Sequence, residues 1–449
     1  MKHFKRRNLY KDVEFIKADG DDYSIIPLTS IDIYESLYVI GFVFFYNKTL
    51  DADELKQSLA KTLEKFQVLS GRLRSRPNGD MEVHCNNEGV AFSVSQINSA
   101  MKKYNRENPA KREALTFLDV INPMKLKDST RPLTTVKLTQ FSGGGSALGI
   151  SIAHNLVDGQ SYFFFVDYWS RIQRGLGHNA EPCHDRMLLE PEVYGIINGE
   201  PDKPDGFRAL STCKLLGSFI RYLYHYIKMD SAVFHFTRVE LENMKKSASL
   251  LENGSMQRVS TNDALCAHLW KVMSSLKKKG PDVRRRLLMV GNIRSKTELP
   301  LPSDYFGNAS YHFIIDMDES KLQSDSIHAV AGAIRKEVNT VRNDSIMEQM
   351  RWLRYRLRAR KLLGVFANYD PYRDDLFISS DAGYPGYGAD FGTGCPDWIT
   401  IQTYPVPWAL LFMPDPSKKG GIDVHFNLSK KLIKTLKKDI WQSLIHTYR

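Results

Sequence analysis

The sequence predicts two mixed α/β halves of similar size, and three observations carry that prediction. At 449 residues the chain is too long for one ordinary compact core. Alternating apolar segments of strand length recur between helix-period segments in both halves. Between them, "EPEVYGIINGEPDKPDGFRALST" (190–212) holds three prolines, three glycines and few periodic apolar positions, which reads as a crossover linker. The expected division is residues 1–190, a linker and helix over 191–225, and residues 226–449.

"SLYVIGFVFFY" (36–46) is an apolar run of strand length, too short to span a bilayer. "LDADELKQSLAKTLEKF" (50–66) reads as a helix capped by Asp51 or Asp53, with Leu55, Leu59, Leu63 and Phe66 on one face. A turn through Gly71 leads to the strand-like "GDMEVHCN" (79–86). "RPLTTVKLTQF" (131–141), the turn "SGGGS" and "ALGISIAH" (147–154) form a hairpin whose second strand sets Leu148, Ile150, Ile152 and His154 on one side. The aromatic "QSYFFFVDYWSRIQRG" that follows suggests a largely buried helix. Beyond the linker, "AVFHFTRVELENMKKSA" (232–248) is strand then helix. "STNDALCAHLWKVMSSL" (260–276) is a helix capped at Ser260 or Thr261, and the tail is strand then amphipathic helix.

Composition narrows the function classes. Hydrophobic content of 42% and charged content of 25% are those of a soluble globular chain and exclude a disordered or fibrous one. The net charge of +11 gathers in clusters such as residues 2–7, 277–279 and 284–286, which suit solvated faces or a phosphate-bearing ligand. Neither zinc-finger spacing nor an RRM-type aromatic signature accompanies them, so nucleic acid is not the expected partner. Cys85, Cys183, Cys213, Cys266 and Cys395 lie far apart without a Cys-x-x-Cys, which indicates no disulfide framework and no metal site and fits a reducing cytosol. No secretory signal is visible. "LLGSFIRYLYHYI" (215–227) has a composition that suits a helix packed on the core, and also one lying on a membrane surface.

The stretch "SIAHNLVDGQ" (151–160) carries the chemistry. It sets His154 at a strand end and Asp158 four residues on, just before a helix, where a rigid scaffold commonly holds functional groups. A neutral imidazole near pH 7 can take a proton from an attacking alcohol and return it to a departing thiolate. No G-x-S-x-G elbow accompanies it, which disfavours a covalent serine hydrolase. By itself the spacing also suits an ordinary histidine at the end of a buried strand.

Six ordered blocks extend the motif: "LKQSLAKTLEKFQVLSGRL", "CNNEGVAF", the hairpin with "SIAHNLVDGQ", "STNDALCAHLWK", "NIRSKTELPLPSDYFGN" and "DFGTG". Together they resemble the BAHD family of acyl-CoA-dependent acyltransferases over nearly the whole chain. The resemblance implies two chloramphenicol-acetyltransferase-like domains, each a mixed β-sheet flanked by helices, with a channel between them and His154 at its middle. It implies acyl-CoA as co-substrate, no permanently bound cofactor, and a monomer acting on a small-molecule alcohol or amine. Asp158 would pair with Arg294 rather than orient His154, and Asp390, Gly392 and Gly394 would form a structural motif away from the histidine. Ser260 and Thr261 would contact CoA, and plain helix capping explains them equally well. Ile40, Phe42 and Phe44 align with an acceptor-side strand, which they would make apolar, and Ser379 and Asp381 would line the same channel. A core face explains the three apolar residues too.

Thr393 stands where most plant members of the family have tryptophan, and Ala153 where they often have a first histidine, so the chain reads as a divergent member. The reading is a cytoplasmic acyl-CoA:alcohol O-acyltransferase of specialised metabolism, acting on a lipophilic acceptor such as a terpenoid alcohol. An amine N-acyltransferase shares its base. A carrier-protein-dependent condensation enzyme shares the His-x-x-x-Asp-Gly logic, but "DFGTG" and "YFGN" fit the free-CoA family better. A non-catalytic binding homologue is disfavoured by the presence of both His154 and Asp158.

Overall fold

The computed structural model describes residues 13–449 apart from 21–22, 102–103, 105–112, 127–129, 191–198, most of 212–227, 251–253, 277–282, 297–300, 371–374 and 403–405. Most of the expected helix at 215–227, together with Cys213, part of the linker and the basic runs at 2–7 and 277–279, therefore lies outside the described residues.

In the first half, β1 (Val13–Ile16), β2 (Val39–Tyr46), β3 (Val90–Ile97), β4 (Thr134–Phe141) and β5 (Ser146–Ala153) belong to one sheet. In the second half follow β6 (Met229–Phe236), β7 (Arg284–Asn292), β8 (Ser310–Asp318), β9 (Leu376–Ser380), β10 (Trp398–Ile401), β11 (Ala409–Pro414) and β12 (Ile422–Ser429). The first sheet runs β1-β3-β4-β5-β2-β10 and the second β6-β12-β11-β9-β7-β8, six strands each. Both are mixed: β3 pairs with β4 in parallel, as does β9 with β7 and β11. This is the expected pair of sheets.

One strand departs from the expected division. Trp398–Ile401 lies in the 226–449 segment yet pairs antiparallel with Phe42–Phe45 of β2, extending the first sheet. Its four residues carry no periodicity that names a partner, so only the long-range pairing assigns them.

The helices follow their local signals. Thr29 and Asp32 form a capping box at α1 (Ser30–Tyr34). Asp51 caps α2 (Ala52–Leu63), and Leu55, Leu59, Leu63 and Phe66 are all buried, as their spacing requires. Asp158 caps α3 (Gly159–Gln173), whose Phe165 and Trp169 are fully buried in the first core. Ser260, not Thr261, caps α4 (Thr261–Ser275), again with a capping box closed by Asp263. All eight residues of β5 are buried, because Leu148, Ile150 and Ile152 enter one core and Ala147 enters another on the opposite face. That two-sided burial makes β5 a rigid support for the residue after it. Among the described residues, no helix is long and apolar enough to cross a membrane.

Candidate active site

His154 is the first residue beyond β5, and its backbone N–H donates to the Tyr38 carbonyl at 3.1 Å, which ties it to the start of β2. Its side chain is half-buried. The ring Nδ1 lies 3.1 Å from Asn308 Oδ1. The Asn308 amide has one workable orientation. Its Nδ2 donates to Asp32 Oδ1 at 2.8 Å and to the His154 carbonyl at 2.7 Å, both of which can only accept. Oδ1 therefore faces the imidazole and must accept, so Nδ1 carries the proton and Nε2 presents its lone pair. Asp32 is itself held by Arg186 at 2.9 Å, with both side chains fully buried. A capping residue of α1 thus sets the tautomer of a histidine on another element.

Asp158 does something else. Its Oδ1 accepts from the Ser161 N–H at 2.9 Å, and its Oδ2 from the Ala309 N–H at 3.0 Å. Arg294 closes on both oxygens, Nη1 to Oδ2 at 2.7 Å and Nη2 to Oδ1 at 3.0 Å. This is the fork-to-fork geometry that a guanidinium supports and an ammonium does not. Burial alone pushes the Asp158 carboxyl up, but the Arg294 charge and these hydrogen bonds outweigh it and hold the group below the usual carboxylate range. Among the described residues no hydrogen bond joins Asp158 to the imidazole.

His154 lines a cavity of about 200 Å³ whose wall draws on both halves of the chain. Ile40 and Phe42 of β2, Ser379 of β9 and Asp381 just beyond it all reach this cavity. Phe44 does not: like Phe42 it is fully buried in the first core, but it has no face on the cavity. Period two does put all three β2 residues on one face, but that face runs past the end of the cavity into packed interior. His312, on β8, also lines the cavity, and burial pushes its imidazole down to about 4, so it is neutral. Asp381 shows the opposite shift. Burial and the nearby Asp158 carboxylate raise its carboxyl to about 7, against the lowering effect of His154. Gly159 makes room for it, since a Cβ there would lie 2.3 Å from Asp381 Oδ1.

The model of the Transferase family matches residues 14–442. The chain belongs to the transferase family. It is a BAHD-type, acyl-CoA-dependent acyltransferase. A hydroxycinnamoyltransferase of Narcissus pseudonarcissus is 24% identical over 420 residues, which cover 89% of this chain and 91% of the relative. Vinorine synthase superposes with a TM-score of 0.72 at 21% identity, over 96% of this chain and 97% of the other. F. graminearum TRI101, in complex with coenzyme A and T-2 mycotoxin, superposes at 0.73 with 16% identity, over 94% and 98% of the two chains. At these identities the solved structures establish the two-sheet fold.

In this transferase the "DFGTG" segment does local work. Asp390 Oδ1 accepts from the Gly392 and Gly394 N–H groups, both at 2.9 Å, and both glycines have positive φ, 92° and 104°. Phe391 packs on Trp169 with ring centroids 4.8 Å apart, and the Tyr46 hydroxyl donates to the Ala389 carbonyl at 2.8 Å. The segment thereby docks the return of the chain to the first sheet just before β10. Ser260 has its hydroxyl engaged by the Asp263 N–H at 3.1 Å, and neither it nor Thr261 lines the cavity. Asn308 stood in a quoted block without a role, and its block was the only signal for it. His312, and Glu35, which also lines the cavity, had none, since nothing local marks a residue whose neighbours come from the other sheet.

The raised Asp381 carboxyl makes a stability prediction. An unfolded aspartate has a pKa of about 3.9. Raising it in the fold leaves stability intact below that value and removes it progressively as pH climbs toward about 7. Asp381→Asn should therefore raise Tm most above about pH 7, with an advantage that shrinks as pH falls toward about 4. Thermal melts across that range check it; a pH-independent difference would remove the titrating carboxyl.

Proposed function

We propose that this transferase moves an acyl group from an acyl-CoA thioester to the hydroxyl of a small, mostly apolar acceptor, a terpenoid alcohol being the class its walls suit. His154 is the general base. The observation that carries the reading is a histidine whose Nδ1 is held by Asn308, whose Nε2 has no hydrogen-bond partner among the described residues, and which borders a cavity with apolar walls. The acceptor O–H gives its proton to Nε2 as the oxygen attacks the thioester carbonyl. A tetrahedral adduct forms, the C–S bond breaks, and the imidazolium returns the proton to the departing thiolate. The products are an ester and free CoA, with no covalent enzyme intermediate. CoA binding to F. graminearum TRI101 supports the donor side, with Ser260 and Thr261 at the N-terminus of α4 as proposed contacts and acetyl-CoA as the first donor to try. The four described free cysteines, Cys85, Cys183, Cys266 and Cys395, support a cytosolic setting, and the enzyme is taken to act as a monomer.

Incubation with acetyl-CoA and terpenoid alcohols, read as thiol release, tests the reaction; no release above the rate of a His154→Ala protein would refute it. Phe42 and Phe44 test the channel against the core. Phe42→Ser should raise the acceptor KM about tenfold or more and leave the acyl-CoA KM nearly unchanged. Both side chains are buried in the first core, so each change should also lower stability, by about 3–5 kcal/mol if it behaves like other large-to-small core changes, whereas Phe44→Ser should leave both KM values nearly unchanged. Equal KM effects on both substrates from Phe42→Ser would mean that it is packing rather than acceptor wall.

A further inference from the structure

Four carboxylates near the site have a guanidinium partner: Asp32 with Arg186, Asp158 with Arg294, and Asp80 and Glu190 with Arg354. Two carboxyls do not. Glu35 follows α1 in the turn before β2, is 9% exposed, and lines the cavity. Asp381 follows β9 and lines the same cavity from the other sheet. Among the described residues neither carboxyl forms a hydrogen bond, and no lysine or arginine lines the cavity. The remaining wall is largely apolar and aromatic, with Tyr38, Phe42, Tyr369 and Phe377 among its residues.

We propose that Glu35 and Asp381 anchor a protonated amine on the acceptor, so that the substrate is an amino alcohol with an apolar body, bound through its nitrogen and acylated on its hydroxyl. The hydroxyl half rests on the acyl-transfer reading above; the anchor does not.

The physical case is one of unmatched charge. Burial raises both carboxyls, and Asp158 adds to the effect on each, with Asp32 doing so for Glu35. The His154 imidazole pulls both the other way, and Tyr34, Tyr38, His312, Tyr369 and Tyr384 are further titratable groups around them. A cation in the cavity supplies what Arg186 and Arg294 supply to Asp32 and Asp158, and aromatic faces stabilise it further. A neutral acceptor leaves the two acids without that partner. The anchor also bears on which atom reacts. A nitrogen held as an ammonium has no lone pair, so carboxylates that favour its charged form direct the acyl group to oxygen.

Two isosteric probes test this with the full chain: the dimethylaminocyclohexanol whose nitrogen lies across the ring from the hydroxyl, and isopropylcyclohexanol, its uncharged counterpart. Calorimetric titration should give the amine at least about tenfold tighter binding. Glu35→Gln and Asp381→Asn should each shrink that ratio, and the double variant should bring it close to one. Equal binding of the two probes by the wild-type protein, no measurable binding of the amine, or a preference kept by a folded double variant would overturn the anchor. Turnover is read separately. If the amine preference is intact but neither probe is acylated, the acyl-transfer reading fails and the anchor stands.

Discussion

His154→Ala lowers turnover by roughly 10²–10⁴, the usual worth of one positioned general base, and leaves the protein folded. The side chain is half-buried, and its one hydrogen bond among the described residues is to Asn308 Oδ1 at 3.1 Å. The backbone bond to Tyr38 and the two donor bonds of the Asn308 amide do not need the imidazole. Removing the ring therefore widens a cavity that is already open and costs the core little. The readouts are steady-state thiol release with saturating acyl-CoA and a thermal melt of the same preparation. A folded His154→Ala protein with near-normal turnover would take His154 out of the mechanism. A variant that loses activity and stability together would return it to the structural role that the motif alone also allowed.

Asp158→Ala and Arg294→Ala should each cost about 3–5 kcal/mol of stability, because each leaves a buried charge without its partner. Both also loosen the link between α3 and the segment carrying Asn308. Asp158 accepts from the Ala309 N–H, and Arg294 donates to the Gly307 carbonyl at 2.9 Å. Activity should therefore fall through the placement of His154 and not through its proton. Arg294→Lys should rescue only in part, since an ammonium cannot span both Asp158 oxygens. The double variant should be less unstable than the sum of the singles, with a coupling of about 0.5–3 kcal/mol. Because the Asp158 carboxyl is depressed in the fold, the stability it contributes is present above the unfolded pKa of about 3.9 and is lost as pH falls through the folded value. Strict additivity in denaturant melts, or an Asp158→Ala protein as stable as the wild type, would contradict the paired arrangement and reopen a triad-like one.

The hairpin of β4 and β5, the helix α2 with its apolar stripe, and the capped starts of α3 and α4 were legible in the sequence because each is specified within about a dozen residues. Periodicity places Leu148, Ile150 and Ile152 inside, and a serine or aspartate before an apolar run marks a cap. The two-sheet architecture and the pairing of Asp158 with Arg294 were reachable only because ordered blocks matched a family. Contacts between residues far apart in sequence decided the rest. Phe42 and Phe44 have the same local pattern and both enter the first core, and only the end of the cavity decides that Phe42 also forms wall. Trp398–Ile401 joins the first sheet because β2 offers a free edge there and the docked "DFGTG" segment brings it alongside. The proton on His154 depends on Asn308, which is 154 residues away and oriented by Asp32 from a third element. By itself, then, the sequence determined the elements, the family and the candidate histidine. The tautomer, the cavity wall and the unpaired acids Glu35 and Asp381 were decided only in the tertiary structure. Hydrogen-bond direction and burial depend on which distant groups share a space, and no local pattern encodes that.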